Sequence, residues 1–291
     1  MFRGLGTALI TPFTSSGALD ESALTRFVDW QITEGVNFLV PCGTTGENPT
    51  LTAEEHRRVV ELTVQTANGR VPVLAGAGNN STARAVALAE EAVDLGADGI
   101  LTITPYYNKP TPDGLLRHFG AQAEAVEKRK PGFPMIMYNV PGRTGLNMTA
   151  ETTLRMAREI PNIIGVKEAS GSMEQILSIL CDRSAGFLVL SGDDAWTLPM
   201  LAVGAEGVIS VASNEVPRLM RQMVDGRDVA IHNRLLPLLT GNFIESNPGP
   251  AKAAMKMMGI LESDTVRAPL APMTDANRDR MRAILTECDL L

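Results

Sequence analysis

The sequence predicts an α/β chain closed into a (β/α)8 barrel, the TIM-barrel architecture, with a small helical C-terminal extension. Two patterns carry this expectation: eight short runs rich in Val, Ile and Leu, and longer stretches of helical periodicity between them. The third observation is size. The eight pairs occupy about 225 of the 291 residues, which suits one barrel without a second nucleotide-binding half. In order, the runs are GTALITPF (6–13), NFLVPCG (37–43), VPVLAGAG (71–78), GILTITPY (99–106), PMIMYNV (134–140), IIGVKEA (163–169), FLVLSGD (187–193) and GVISVAS (207–213). Each is apolar nearly throughout, as strands buried on both faces require.

The intervening segments carry helix punctuation. TAEEHRRVVELTVQTANG begins at Thr52 with a capping-box spacing to Glu55 and ends near Gly69. Residues 81–96 behave alike, with Ser81 as N-cap. Beyond the eighth run, helical patterns at 217–225, 229–239, 250–258 and 275–286 supply the last barrel helix and the extension. The expected division is a catalytic barrel over 1–225 and a helical extension over 226–291, packed on it. A doubly wound sheet is the alternative. It is weakened because no G-x-G-x-x-G follows the first run and no GxxxxGK[ST] occurs, while GAGNNSTA (76–83) reads as a tight strand-to-helix turn.

Composition narrows the function. With 44% hydrophobic residues the chain can bury a sizeable core, and its 26 basic and 33 acidic residues leave a net charge of −7. Such a field repels phosphate backbones and anionic lipid, so neither nucleic acid nor a membrane surface is an expected partner. No run approaches the roughly 18 to 20 apolar residues of a spanning helix. The start, MFRGLGTALITPF, lacks a signal peptide's cleavage pattern, and a cytoplasmic location is expected. Cys42, Cys181 and Cys288 are far apart and odd in number, which argues against disulfides and a zinc cluster.

A barrel carries its chemistry at the C-terminal ends of its strands. Lys167, in IIGVKEA, is the one lysine of six inside an apolar β-pattern; Lys109, Lys128, Lys130, Lys252 and Lys256 fall in loops or helix-like segments. Desolvation disfavours its ammonium form and leaves an amine able to attack a carbonyl and form a Schiff base. The alternative is a lysine paired with Glu168 or another carboxylate. Tyr138, one strand earlier, can move protons to and from a carbinolamine, or simply pack in the core. All three tyrosines, Tyr106, Tyr107 and Tyr138, fall at ends of predicted strands. Arg143, in a Pro-Gly loop, suits a bidentate carboxylate contact unless it is merely solvated. GTTGE (43–47) offers two hydroxyls and flexible backbone N–H groups to a small carboxylate, or is a helix-entry turn. The Asp pair of SGDD (191–194) is weak evidence for a metal, and none is expected. His56, His118 and His232 lie in helix-like segments without a triad motif, which suggests surface or capping roles.

Taken in order, GTTGE, TPYYNKP, YNVPGRTG, GVKEASG, SGDD and GVIS resemble the dihydrodipicolinate synthase family from end to end. That family belongs to the N-acetylneuraminate lyase superfamily of pyruvate-dependent, class I aldolase-like barrels, commonly homotetrameric. The resemblance implies condensation of pyruvate with L-aspartate 4-semialdehyde to 4-hydroxy-tetrahydrodipicolinate on the diaminopimelate route to lysine. No metal or organic cofactor is implied. By the same likeness Lys167 is the Schiff-base residue and Tyr138 the proton donor and acceptor. Thr44 and Tyr107 complete a relay, with Tyr107 arriving from a neighbouring subunit. Thr45 holds the pyruvate carboxylate, Arg143 that of the aldehyde, and Gly192 and Ile209 line the pyruvate pocket. Another pyruvate aldolase or lyase acting on a sugar acid remains the alternative, since lysine and tyrosine are shared across the superfamily. Lysine-inhibited members resemble the chain at His56, Asn80 and Tyr106, yet commonly carry a histidine where Ala53 stands and a glutamate where Arg84 stands. That charge reversal implies weak or absent inhibition by lysine.

Overall fold

Eight strands form the wall that holds the site: β1 (Gly4–Ala8), β2 (Phe38–Val40), β3 (Leu74–Gly76), β4 (Gly99–Ile103), β5 (Met135–Asn139), β6 (Ile163–Glu168), β7 (Leu188–Ser191) and β8 (Gly207–Ser210). The computed structural model describes all 291 residues. The strands are parallel and ordered β2-β1-β8-β7-β6-β5-β4-β3. Closure is made by the Leu39–Val73 bridge, where Leu39 N–H donates to Pro72 O at 3.0 Å and Gly76 N–H donates to Pro41 O at 2.9 Å. The barrel expected from the sequence is the fold observed.

Side-chain alternation sorts each strand into two environments. Ile136 and Tyr138 of β5, Leu188 and Leu190 of β7 and Ile209 of β8 form one twelve-residue cluster with Phe38 and Val40 of β2. Their neighbours Met135, Met137, Val189 and Val208 join a 57-residue cluster with the surrounding helices. Both faces are therefore apolar. This explains why the strands read as continuous runs rather than as alternating ones. Each apolar run nevertheless outlasts its ladder at one end or both. In the first run β1 ends at Ala8, while Leu9, Ile10 and Phe13 remain at most 1% exposed. Beyond the strand they keep only single pairings, from Leu9 N–H to Val40 O and in the Phe13–Leu19 bridge, so hydrophobicity there tracks burial more than pairing.

The helix over Ala53–Ala67 starts as its sequence predicts. Glu55 N–H donates to Thr52 Oγ1 at 3.1 Å, and Thr52 N–H donates to Glu55 Oε2 at 3.0 Å. Such a cap contributes about 1 kcal/mol. Ser81 is the N-cap of Thr82–Asp94 without a side-chain cap bond; Asn79 Oδ1 instead accepts from Ser81 N–H. The last barrel helix, Pro217–Gly226, is followed by Val229–Gly241, Gly249–Met257 and Asp275–Glu287. Leu235, Leu238, Met255, Met281 and Leu285 from these later helices are buried in the same 57-residue cluster as the barrel. No helix is long and apolar enough to cross a membrane.

Candidate active site

Adjacent strands set the two central side chains level. Tyr138 of β5 pairs in register with Lys167 of β6, and the Lys167 Nζ lies 4.2 Å from the centroid of the Tyr138 ring. Each residue is 6% exposed. Burial draws the Lys167 pKa down to about 8; the Asp194 carboxylate opposes this fall and the Arg143 guanidinium adds to it. No carboxylate forms an ion pair with Lys167. Glu168 turns away, accepting from Asn139 Nδ2 at 3.1 and 3.2 Å, Ser170 N–H at 2.7 Å and Gln175 Nε2 at 3.2 Å. The paired-lysine alternative is thereby removed for Glu168.

Burial also pushes the Tyr138 phenol up to about 12, while Arg143 and a hydrogen bond with the Thr44 hydroxyl pull it back. Beside the lysine, Gly192 leaves no room for a side chain. An added Cβ would stand 2.7 Å from Ala169 Cβ and 3.2 Å from Lys167 Cε. Ile209, 1% exposed, belongs to the same interior cluster as Tyr138. The two aspartates of SGDD serve backbone: Asp193 Oδ1 accepts from Ala195 N–H at 3.0 Å, and Asp194 Oδ2 accepts from Val211 and Ala212 N–H at 2.9 and 2.8 Å.

Thr44 and Thr45 follow β2. Thr45 is 3% exposed and its hydroxyl oxygen accepts from Asn247 Nδ2 at 3.0 Å, which leaves its own proton to donate. Arg143 sits in a one-turn helix, Pro141–Thr144, rather than in the expected irregular loop. Its Nη2 donates to Asn247 O at 3.4 Å, and no carboxylate of the chain occupies its fork. A cavity of about 460 Å³ is lined by Thr44, Tyr138 and Arg143 as well as by Ala53, His56, Arg84 and Tyr106. Its lining holds two arginines and no carboxylate.

Some of the residues singled out in the sequence lie apart from this cavity or in other surroundings than expected. Tyr107 is 89% exposed and does not line the cavity, so one chain alone does not bring it to Tyr138. Asn80 is also outside the lining and bonds Asn108, at 3.2 Å from its Nδ2 and 3.0 Å to its backbone O. His56 and His118 are not surface residues: both are 3% exposed, because each lies on the inward face of its helix. A His56 ring N–H donates to Gly76 O at 2.9 Å, and burial pushes the His118 pKa down to about 4. The sequence reading also missed Asn247 and Lys252. Lys252 is 0% exposed and paired with Glu47. Its sole sequence signal was a lysine within the small, apolar helix GPAKAAMKM.

The description "Dihydrodipicolinate synthetase family" applies to a family model that matches residues 1–288. The chain belongs to that family. A 4-hydroxy-tetrahydrodipicolinate synthase of Koribacter versatilis is 50% identical over 99% of this chain and 97% of its own length. A dihydrodipicolinate synthase structure from Aquifex aeolicus superposes with a TM-score of 0.94 at 42% identity, covering 99% of both chains. Another, the chloride-inhibited enzyme of Acinetobacter baumannii complexed with pyruvate, gives a TM-score of 0.95 at 38% identity over the whole of both chains. The level pairing of Lys167 with Tyr138 sets both residues one position before the C-terminal ends of β6 and β5.

Proposed function

We propose that the chain is a lyase that condenses pyruvate with L-aspartate 4-semialdehyde to 4-hydroxy-tetrahydrodipicolinate, in lysine biosynthesis through diaminopimelate. The observation that carries this reading is a buried lysine without a carboxylate partner, its amine 4.2 Å from the ring of an equally buried tyrosine level with it on the next strand. The neutral Lys167 amine attacks C2 of pyruvate. Proton transfer from Tyr138 to the carbinolamine hydroxyl releases water and leaves an iminium. The Tyr138 oxygen then takes a methyl proton, the electron pair moves toward the cationic nitrogen, and an enamine forms. Its carbon adds to the aldehyde, whose oxygen is protonated to a hydroxyl. The amine of the second substrate attacks the former C2, closes the ring and expels Lys167. The Schiff base itself supplies the electron sink, so the proposed cycle uses no metal or organic cofactor.

In this reading Thr45 donates its free proton to the pyruvate carboxylate, and Gly192 and Ile209 shape the pocket. Arg143, with no carboxylate of this chain in its fork, receives the carboxylate of the aldehyde and favours this substrate over a sugar acid. Tyr107 completes the Tyr138–Thr44 relay from a second copy within a homotetramer. Its 89% exposure and left-handed backbone, φ 71°, suit a side chain that a neighbour covers. Sedimentation of the wild type, with turnover of Tyr107→Phe in the intact oligomer, tests that assignment; unchanged turnover removes Tyr107 from the relay.

The deciding assay couples pyruvate and L-aspartate 4-semialdehyde to dihydrodipicolinate reductase and follows nicotinamide oxidation, with Lys167→Ala as control. Activity lost in the variant supports reaction and nucleophile together. Borohydride trapping of pyruvate on Lys167 without condensation would keep the Schiff base and change the acceptor.

A further inference from the structure

The turn that carries Thr44 and Thr45 is held from outside the barrel. Its ends are strained: Cys42 and Glu47 both take left-handed backbone, with φ 56° and 54°. Such conformations persist in residues other than glycine only when their surroundings impose them. Local bonds supply part of the restraint, from Gly46 N–H to Gly43 O at 3.1 Å, Glu47 N–H to Thr44 O at 3.1 Å and Thr11 Oγ1 to Gly46 O at 2.7 Å. The remainder comes from the C-terminal extension. Glu47 Oε1 accepts from Lys252 Nζ at 2.5 Å, and its Oε2 accepts from Arg267 N–H at 2.9 Å. Lys252 also donates to Thr265 O at 2.9 Å and lies 4.3 Å from the centroid of the Phe13 ring. Five residues before it, Asn247 donates to Thr45 Oγ1 and accepts from Arg143.

We propose that the Glu47–Lys252 ion pair, with Asn247, is a positioning device through which the C-terminal extension sets the carboxylate-binding turn. Stability is a poor explanation for such a pair. The two side chains are 1% and 0% exposed, and desolvating two charges offsets most of what their attraction returns. Apolar residues of similar volume often serve stability equally well. What an ion pair adds is geometry: a carboxylate held by two donors in fixed directions tolerates little displacement. Glu47 is also unsuited to touching substrate, because it is 3% exposed and both oxygens are occupied. The pair lies two residues beyond Thr45. Asn247 fixes the oxygen of that threonine, so a shift of the extension is transmitted to the hydroxyl that meets the substrate.

This proposal rests on the pyruvate reading of the site, and the test separates the two. Wild type, Glu47→Gln/Lys252→Met and Asn247→Ala are compared by borohydride trapping over a range of pyruvate concentrations, alongside circular dichroism and melting. The double variant removes both charges, avoiding the unpaired buried ion that either single change would leave. A folded double variant should need at least about tenfold more pyruvate for half-maximal trapping, with the saturating rate within about twofold of wild type, since a displaced Thr45 hydroxyl loses its hydrogen bond to the charged carboxylate, worth about tenfold or more in affinity, while Lys167 and Tyr138 stay in place. Asn247→Ala should move half-saturation the same way. Wild-type half-saturation in the folded double variant overturns the proposal, as does a fall confined to the saturating rate. If the double variant does not fold, Asn247→Ala decides by the same criterion. Failure of the wild type to trap pyruvate would instead overturn the reading of the site.

Discussion

Replacing Lys167 with methionine should abolish Schiff-base trapping and make the protein more stable near neutral pH. Methionine keeps an unbranched side chain against the Tyr138 ring while removing the ammonium. A fall in pKa from 10.5 to about 8 on folding corresponds to about 3 kcal/mol at about 1.4 kcal/mol per tenfold. This net shift already contains the attraction between Lys167 and Asp194; imperfect repacking around the methionine takes back part of it, leaving an expected gain of roughly 1 to 3 kcal/mol. The sign follows from proton counting. Below pH 8 both states are protonated and the folded state bears the full burial cost. Between about pH 8 and 10.5 the unfolded chain holds the extra proton, so wild-type stability rises with pH and the cost vanishes. Urea unfolding of both proteins from pH 6.5 to 10.5 measures the difference directly. A variant less stable than wild type at pH 7, or a difference independent of pH, would refute the assignment of Lys167 as a buried, unpaired amine.

Gly192→Ala should lower the trapping rate about 100-fold or more and destabilise by roughly 1 to 3 kcal/mol, because the new Cβ falls 3.2 Å from Lys167 Cε; trapping kinetics and a melt read both effects. Tyr138→Phe keeps the ring and removes the proton carrier, with an expected loss of about 10² to 10⁴ in kcat, and a steady-state rate within tenfold of wild type would exclude the role. Lysine should inhibit weakly or not at all, since the cavity near His56 and Tyr106 presents Arg84 and no carboxylate to its ammonium groups. A dose–response curve with half-maximal inhibition at micromolar lysine would contradict this.

Much of the barrel was legible because parallel strands buried on both faces leave an unmistakable record, and because Lys167 interrupts one of those runs. The strand ends were not legible, since Leu9, Ile10 and Phe13 are as buried outside the ladder as residues within it. Local pattern could nominate Tyr138 and Arg143, yet roles for Thr45, Tyr107, Gly192 and Ile209 came from family resemblance. Asn247 escaped because its partner Thr45 is 202 residues away, and nothing near an Asn-Pro pair announces such a contact. The buried His56 and His118 show the same limit: a helical period locates an inward face, but a polar residue on it reads as an exposed one.

The two buried lysines show why burial alone does not select a nucleophile. Desolvation draws down the pKa of both Lys167 and Lys252. At Lys252 the Glu47 carboxylate opposes that fall at hydrogen-bond distance, holding the proton in an almost fully buried ion pair. At Lys167 the opposing charge, Asp194, already accepts two backbone N–H groups and makes no ion pair with the amine. A neutral amine therefore becomes available near pH 8 at one position and remains costly at the other. The difference lies in the carboxylates, which neither lysine's own segment of sequence contains. It makes Lys167 the attacking group and leaves Lys252 to hold the turn that Lys167's substrate must meet.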